Sequence, residues 1–254
     1  MANEVTTEIQ NRILVITLNR PDAMNAVNQE LADQLAAALE SLDGNPDLSV
    51  GVLTGAGRGF CAGMDLKEFV SKGMPIVGDR GFGGITERCA KKPVISAVEG
   101  FALAGGFELA LSTDLIVAAK GAKFGIPEVG VGLFAGAGAL LRLPRVLPYA
   151  QAMKMALTAE PMRAEQAYEF GLVAELAEKG EALATAITLA EKVAKNAPLG
   201  LIASKELIRE MQGRTEAEFW EYQKAQIDTV FNSEDGVEGA TAFAEKRAPN
   251  WKGC

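Results

Sequence analysis

Histidine is missing from all 254 residues. That gap removes the Ser-His-Asp and Cys-His triads, the H-E-x-x-H zinc helix and every imidazole acid or base. Acid-base chemistry must then fall to carboxylates, or to Lys, Tyr and Cys. Cysteine is scarce as well: Cys61, Cys89 and Cys254 make an odd number with no C-x-x-C pair. This argues against both a disulfide framework and a thiolate zinc site, and buried thiols are the simpler reading. No Gly-Lys pair occurs, which excludes a Walker A loop, and no G-x-S-x-G elbow exists for a serine hydrolase. The apolar run Ile13 to Leu18 is far too short to span a bilayer. The N-terminus, Met1 to Gln10, carries Glu4 and Glu8 where a signal peptide needs basic residues. A cytoplasmic protein without a membrane partner is expected. Cationic residues are also in deficit, 25 against 33 acidic, for a net charge of −8. A protein working through phosphate contacts would oppose its own field, so nucleic acid is not expected as a partner.

What is present suits a folded enzyme. With 48% hydrophobic and 23% charged residues and no low-complexity tract, nearly the whole chain should fold. Its length allows one large α/β domain, with or without a small helical appendage. Short β-branched runs alternate with helical patterns: Ile13 to Leu18 before Asn28 to Leu42, Val50 to Thr54 before Asp65 to Val70, and Val94 to Val98 before Ala104 to Leu111. Leu115 to Ala118 follows, then more weakly Leu172 to Leu176 before Gly180 to Lys195. Strands this apolar on both faces predict parallel pairing under helical cover. From about Pro198 the strand signals stop, and helices are predicted over 199–211, 215–231 and 234–246. The first of these places Leu201, Ile202, Leu207 and Ile208 near one face, as core packing requires.

Three glycine-rich turns are expected to follow strands: Gly55 to Phe60, Gly100 to Gly106 and Gly132 to Gly138. The first superficially resembles a dinucleotide fingerprint, but Phe60 stands in place of its third glycine and no acidic residue closes a second strand about 20 residues on. Two turns run straight into helices, through Cys61-Ala62-Gly63-Met64-Asp65-Leu66 and through Leu103-Ala104-Gly105-Gly106-Phe107-Glu108. Each could aim free backbone N–H groups at a point beyond the helix start, and two such ends face to face would make an oxyanion hole. For a single loop, tight strand-to-helix packing is the better explanation of the glycines, and only the combination with the next feature tips the balance. Glu108 and Glu128 each sit among apolar residues, where burial raises a carboxyl pKa toward the range of a general acid or base. The plainer alternative is a surface carboxylate or an ion pair with Arg142 or Lys123.

Taken together, these segments resemble the crotonase, or enoyl-CoA hydratase/isomerase, superfamily from about Val15 to Lys252. The resemblance is anchored by Asn19-Arg20-Pro21 with Met24-Asn25-Ala26, by Gly59 to Leu66, by Pro93 to Glu108, by Phe124 to Gly132 and by Ala242 to Arg247. It implies an α/β spiral of ββα repeats over residues 1–197 and a C-terminal helical trimerisation region over 198–254, assembled as a homotrimer or dimer of trimers. Position by position, the family's oxyanion donors fall on the N–H groups of Met64 and Gly105, and its catalytic glutamates on Glu108 and Glu128. Ala62 to Lys67, including Asp65 and Leu66, would line the path of an acyl-CoA thioester, with Ala23 and Met24 also contacting the coenzyme A. No metal and no redox cofactor are implied, coenzyme A being part of the substrate.

The chain departs from the family pattern in places. Glu99 stands for the usual Asn, Ala104 for the first glycine of the usual triple, and Ala135-Gly136-Ala137-Gly138-Ala139 for a common Pro-Gly-x-Gly-Gly. The last borders the acyl pocket in the family and bears on substrate choice. Keeping both glutamates favours enoyl-CoA hydratase chemistry, since isomerases commonly manage with one residue matching Glu128. Segments Ser233 to Gly239, Ala244 to Gly253 and Gly81 to Gly84 resemble the carnitinyl-CoA dehydratase (crotonobetainyl-CoA hydratase) branch. A non-catalytic acyl-CoA-binding subunit would normally have lost a glutamate, and a ClpP-like peptidase would need a histidine.

Overall fold

A computed structural model of the chain describes residues 3–254; Met1 and Ala2, the start of the N-terminal stretch considered above, lie outside the described residues. The chain opens with an antiparallel hairpin, β1 (Val5–Gln10) and β2 (Ile13–Leu18), and continues through α1 (Gln29–Gly44), β3 (Val50–Gly55), α2 (Leu66–Lys72) and β4 (Val94–Val98). Next come β5 (Phe101–Leu103), α3 (Gly105–Ser112), β6 (Leu115–Ala119), β7 (Lys123–Gly125) and a 3-10 turn at Pro127–Val131. After it the order is α4 (Ala139–Val146), α5 (Tyr149–Thr158), β8 (Met162–Arg163), α6 (Ala164–Glu169), β9 (Glu175–Ala177) and α7 (Ala182–Ala194). Three helices close the chain: α8 (Pro198–Glu210), α9 (Glu216–Phe231) and α10 (Glu234–Glu245).

The larger sheet has the order β1-β2-β3-β4-β6-β9, parallel throughout except for β1, and the smaller has β5-β7-β8. Successive pairs feed both layers: β4 and β6 join the large sheet, β5 and β7 the small one, and α3 follows the first pair. This is the mixed α/β spiral expected from the resemblance. Both faces of the sheet's central strands are covered, because β2, β3 and β4 carry apolar side chains on both sides. Leu14, Ile16, Leu18 and Leu53 point into a core shared with Leu31, Leu35 and Leu39 of α1. Ile13, Val15, Val50, Val52 and Ile95 point the other way, against Ala182, Ala186 and Ala190 of α7. Alanines four residues apart make one smooth stripe, so α7 lies close on the sheet. Glu99, the residue in place of the family's Asn, accepts hydrogen bonds from Gly180 N and Ala182 N, both at 3.0 Å, and so holds the start of α7.

Several expectations need correction. The strand predicted over Leu172 to Leu176 is Glu175–Ala177, and Leu172 and Val173 are instead buried in the turn before it. Strand β1, the small sheet and helices α4 to α6 are additions to the elements expected from sequence; β1 and the small sheet are mostly polar or very short, and α4 carries an internal Pro144. The Gly132 to Gly138 turn follows the 3-10 turn rather than a strand. On α8 only Pro198 and Ala203 are buried, whereas Ile208 is 66% exposed. The helix docks through Lys205 and Arg209, which pair with Asp114 at 2.7 and 2.9 Å, so its apolar residues do not all face the core.

Candidate active site

The site is built where two loops are laid side by side. Asn25 is completely buried at φ +54°, and its Nδ2 donates to the carbonyls of Ala56, Gly59 and Phe60 at 2.9, 3.0 and 3.0 Å. Its Oδ1 accepts from Arg20 N at 2.9 Å, so one side chain ties the 20–27 segment to the turn after β3. Ala62 N donates to Met24 O, Val27 N to Gly63 O and Asp65 N to Val27 O. In an extended chain, successive N–H groups point to opposite sides. With Gly63 O and Asp65 N turned toward Val27, Met64 N points away from it and has no acceptor among the described residues.

On its other flank the same loop meets β5, with Leu103 N donating to Cys61 O at 3.0 Å. Strand β5 leads through Ala104 into α3, whose first residue is Gly105. As the first residue of a helix, Gly105 has no intrahelical acceptor for its N–H, and it finds none elsewhere among the described residues. The two free N–H groups are neighbours: a Cβ on Gly105 would stand 3.6 Å from Met64 N, and one on Gly63 3.2 Å from Gly105 N. Close packing and free donors coexist, since a Cβ on Gly106 would come within 2.3 Å of Cys61 O, and one on Gly105 within 2.6 Å of the Phe82 ring.

Glu108 lies in the first turn of α3 and is buried. Its Oε1 accepts from Ala137 N at 2.7 Å and Ala139 N at 3.0 Å. Burial pushes its pKa up to about 7; the amides of Ala139 and Ala137 oppose the rise, the charge of Glu128 adds to it, and Arg142 opposes it. Glu128, second in the 3-10 turn, also has its pKa raised by burial, and its Oε2 is buried without a hydrogen-bond partner among the described residues. Neither carboxylate forms an ion pair within the described chain. Arg142 donates instead to the carbonyls of Thr86 and Ala137, and Lys123 is exposed on β7.

The segments expected to hold coenzyme A are adjacent, since Ala62 N bonds Met24 O. Ala23 and Ala62 are half-buried, and Met24, Leu66 and Lys67 are exposed around them. Asp65 has a mainly structural use: it caps α2 by accepting from Lys67 N and Glu68 N and pairs with Arg20 at 3.1 Å. Sequence reasoning missed Phe82 as the ring pressed on Gly105, and the Ala137 and Ala139 amides as the holders of Glu108. Backbone donors leave no residue-type signal; only the glycines around them hint at an unusual path. Among the described residues no group of three or more Cys, Asp or Glu is placed to hold a metal ion, and no helix is long and apolar enough to cross a membrane.

Comparison with known proteins agrees with this architecture. The enoyl-CoA hydratase/isomerase family pattern matches residues 8–254. A carnitinyl-CoA dehydratase of Salmonella typhi is 40% identical, covering 95% of both chains. A mevalonyl-coenzyme A hydratase of Beauveria bassiana is also 40% identical, covering 96% of this chain and 92% of its own. Among solved structures, an enoyl-CoA hydratase from Mycobacterium tuberculosis H37Rv superposes with a TM-score of 0.97 at 53% identity, and one from Mycobacterium marinum with 0.97 at 52%, each covering 100% of both chains. These relatives are named for adding or removing water, as hydro-lyases do. With the pattern matched over nearly its whole length and the paired loops in place, the chain belongs to the enoyl-CoA hydratase/isomerase family.

Proposed function

We propose that the chain is an enoyl-CoA hydratase, adding water reversibly to a trans-2-enoyl-CoA thioester to give the 3-hydroxyacyl-CoA. One observation carries the reading: two interacting carboxyls are raised in pKa by burial, and one of them stands one turn into the helix whose first N–H, like that of neighbouring Met64, lacks an acceptor among the described residues. In this mechanism the thioester oxygen accepts from Met64 N and Gly105 N. Addition at the β-carbon moves an electron pair onto that oxygen as an enolate, and each such donor is worth roughly 3 to 4 kcal/mol of barrier. Ionised Glu108 takes a proton from water as the water oxygen bonds to the β-carbon, and protonated Glu128 gives its proton to the α-carbon. The two groups exchange roles in the reverse direction. Water addition requires no metal or redox cofactor.

Coenzyme A would lie along Ala23, Met24 and Ala62 to Lys67. Residues 1–197 would carry the chemistry in the cytoplasm, and 198–254 would build a homotrimer or dimer of trimers. A second reading, carnitinyl-CoA dehydratase, is favoured by the relatives that bear that name. It uses the same two carboxyls on an acyl group with a fixed positive charge. Phe134, 70% exposed a few residues after Glu128, offers an aromatic face of the kind that takes a quaternary ammonium. A panel of enoyl-CoA esters, followed at the absorbance of the conjugated thioester, separates the two. Glu108→Gln and Glu128→Gln should each lower kcat by about 10²- to 10⁴-fold while ester binding persists. Near-wild-type turnover in either variant would remove that residue from its role.

A further inference from the structure

The N–H groups of Ala137 and Ala139 that hold Glu108 belong to the half-buried end of the turn before α4 and to the first residue of α4, and something must fix that junction. Its departure from the family's glycine pattern does not supply rigidity by itself, because Gly136 and Gly138 remain and Gly138 sits at φ +108°. The rigid element is Arg142, one turn into α4. Its Nη2 donates to Thr86 O, on the segment carrying Phe82, and its Nη1 lies 3.4 Å from Ala137 O. The guanidinium covers Gly138 so closely that a Cβ there would fall 2.0 Å from Nη1. Ala137 is therefore held through both of its flanking peptide groups: its carbonyl by Arg142, its N–H by Glu108.

We propose that Arg142 is a positioning residue for hydration: its guanidinium clamps the Ala137 and Thr86 carbonyls and thereby holds the two N–H groups that aim the Glu108 carboxylate. The proposal rests on Glu108 being the group that takes the proton from water. Two consequences follow from the geometry. Releasing the clamp lets the turn drift, which misaims Glu108, and a displacement of about 1 Å costs on the order of 100-fold in rate. Removing the guanidinium also removes a positive charge that favours ionised Glu108. The titratable and charged groups around this arrangement are Glu128 from the 3-10 turn, which disfavours ionised Glu108, and the buried Cys89 thiol before β4, Arg145 on α4 and Arg209 on α8, which act on Arg142; Glu108 is the lone charge on α3 itself. Loss of Arg142 therefore makes Glu108 harder to ionise, and the acid limb of hydration moves to higher pH.

The test is the pH profile of kcat and KM for crotonyl-CoA in Arg142→Gln, Arg142→Lys and Glu108→Gln, each checked for folding by circular dichroism. Arg142→Gln should lower kcat about tenfold or more, move the acid limb upward, and leave KM nearly unchanged. Arg142→Lys, which keeps the charge but not the two-pronged donor, should return the limb toward wild type with only part of the rate. Because the Lys variant retains length and charge, it remains informative if the Gln variant folds poorly. A kcat loss in both variants with an unmoved acid limb would mean a merely structural role and overturns the proposal, as does wild-type behaviour of Arg142→Gln. Glu108→Gln separates the two failures: full turnover there overturns the base assignment itself, whereas an inactive Glu108→Gln beside a normal Arg142→Gln overturns only the clamp.

Discussion

At the scale of single residues, the buried Glu108 ties activity and stability to pH in opposite directions. Hydration in the proposed mechanism uses its ionised form, so kcat/KM should fall on the acid side with a midpoint near the free-enzyme value of about 7. A midpoint in the ordinary carboxylate range, read from initial rates across pH, would contradict this. For stability the sign reverses. A carboxyl whose folded pKa lies above its unfolded value favours the fold fully below the unfolded value and loses that advantage as pH rises through the folded one. A rise from 4.5 to about 7, at about 1.36 kcal/mol per unit, makes the penalty at most about 3 kcal/mol above neutrality. Glu108→Gln keeps an oxygen for the Ala137 and Ala139 amides and cannot ionise. It should therefore melt higher than wild type at about pH 8, with the gap closing toward about pH 5. Equal melting temperatures at both pH values would show that burial does not disfavour the charge.

At the scale of elements, the entry to α3 shows how a loop can be right in place and strained in conformation. Ala104, where the family usually has glycine, precedes the helix at φ +50° and ψ −132°, a region that costs a residue with a Cβ about 1 to 3 kcal/mol. The bonds of Ala104 N to Gly125 O and of Phe107 N and Glu108 N to Ala104 O hold it there. Ala104→Gly should raise stability by about 1 kcal/mol, after allowing for the greater freedom of glycine in the unfolded chain. Denaturant titration checks it, and a destabilised glycine variant would mean that the methyl packs better than its backbone suffers. The paired loops were legible in sequence because glycine runs directly before helices are a strong local signal. The small sheet was not, because β5, β7 and β8 are two or three residues long and show no period.

At the scale of the whole molecule, the last three helices leave much apolar surface uncovered. Phe231 is 72% exposed and Phe243 86%, with Trp220 and Val237 also open to solvent. Such area on helices that bury few residues of their own supports their use between copies of the chain. Sedimentation at micromolar concentration should give a trimer or a pair of trimers. Phe231→Asp together with Phe243→Asp should shift the population toward monomer by placing charges in the apolar contact. A monomeric wild type would remove assembly as the reason for this surface.

The sequence by itself determined that acid-base work falls to carboxylates, or to Lys, Tyr and Cys, that strands pair in parallel under helical cover, and, through the family resemblance, that Glu108, Glu128, Met64 and Gly105 are the positions to inspect. The first two rest on residue identity and short-range period, which survive in one dimension; the last rests on matching this chain's motifs to those of the family. Tertiary structure alone decided that the Met64 and Gly105 N–H groups are adjacent and without acceptors among the described residues, since this depends on where Val27 and β5 take up the neighbouring groups. It also decided that Glu108 is held by amides 29 and 31 residues away rather than by an ion pair, and that Arg142 turns its guanidinium to carbonyls. A backbone donor looks the same at every position of a sequence; only folding determines which donors are left free and which carboxylate they meet.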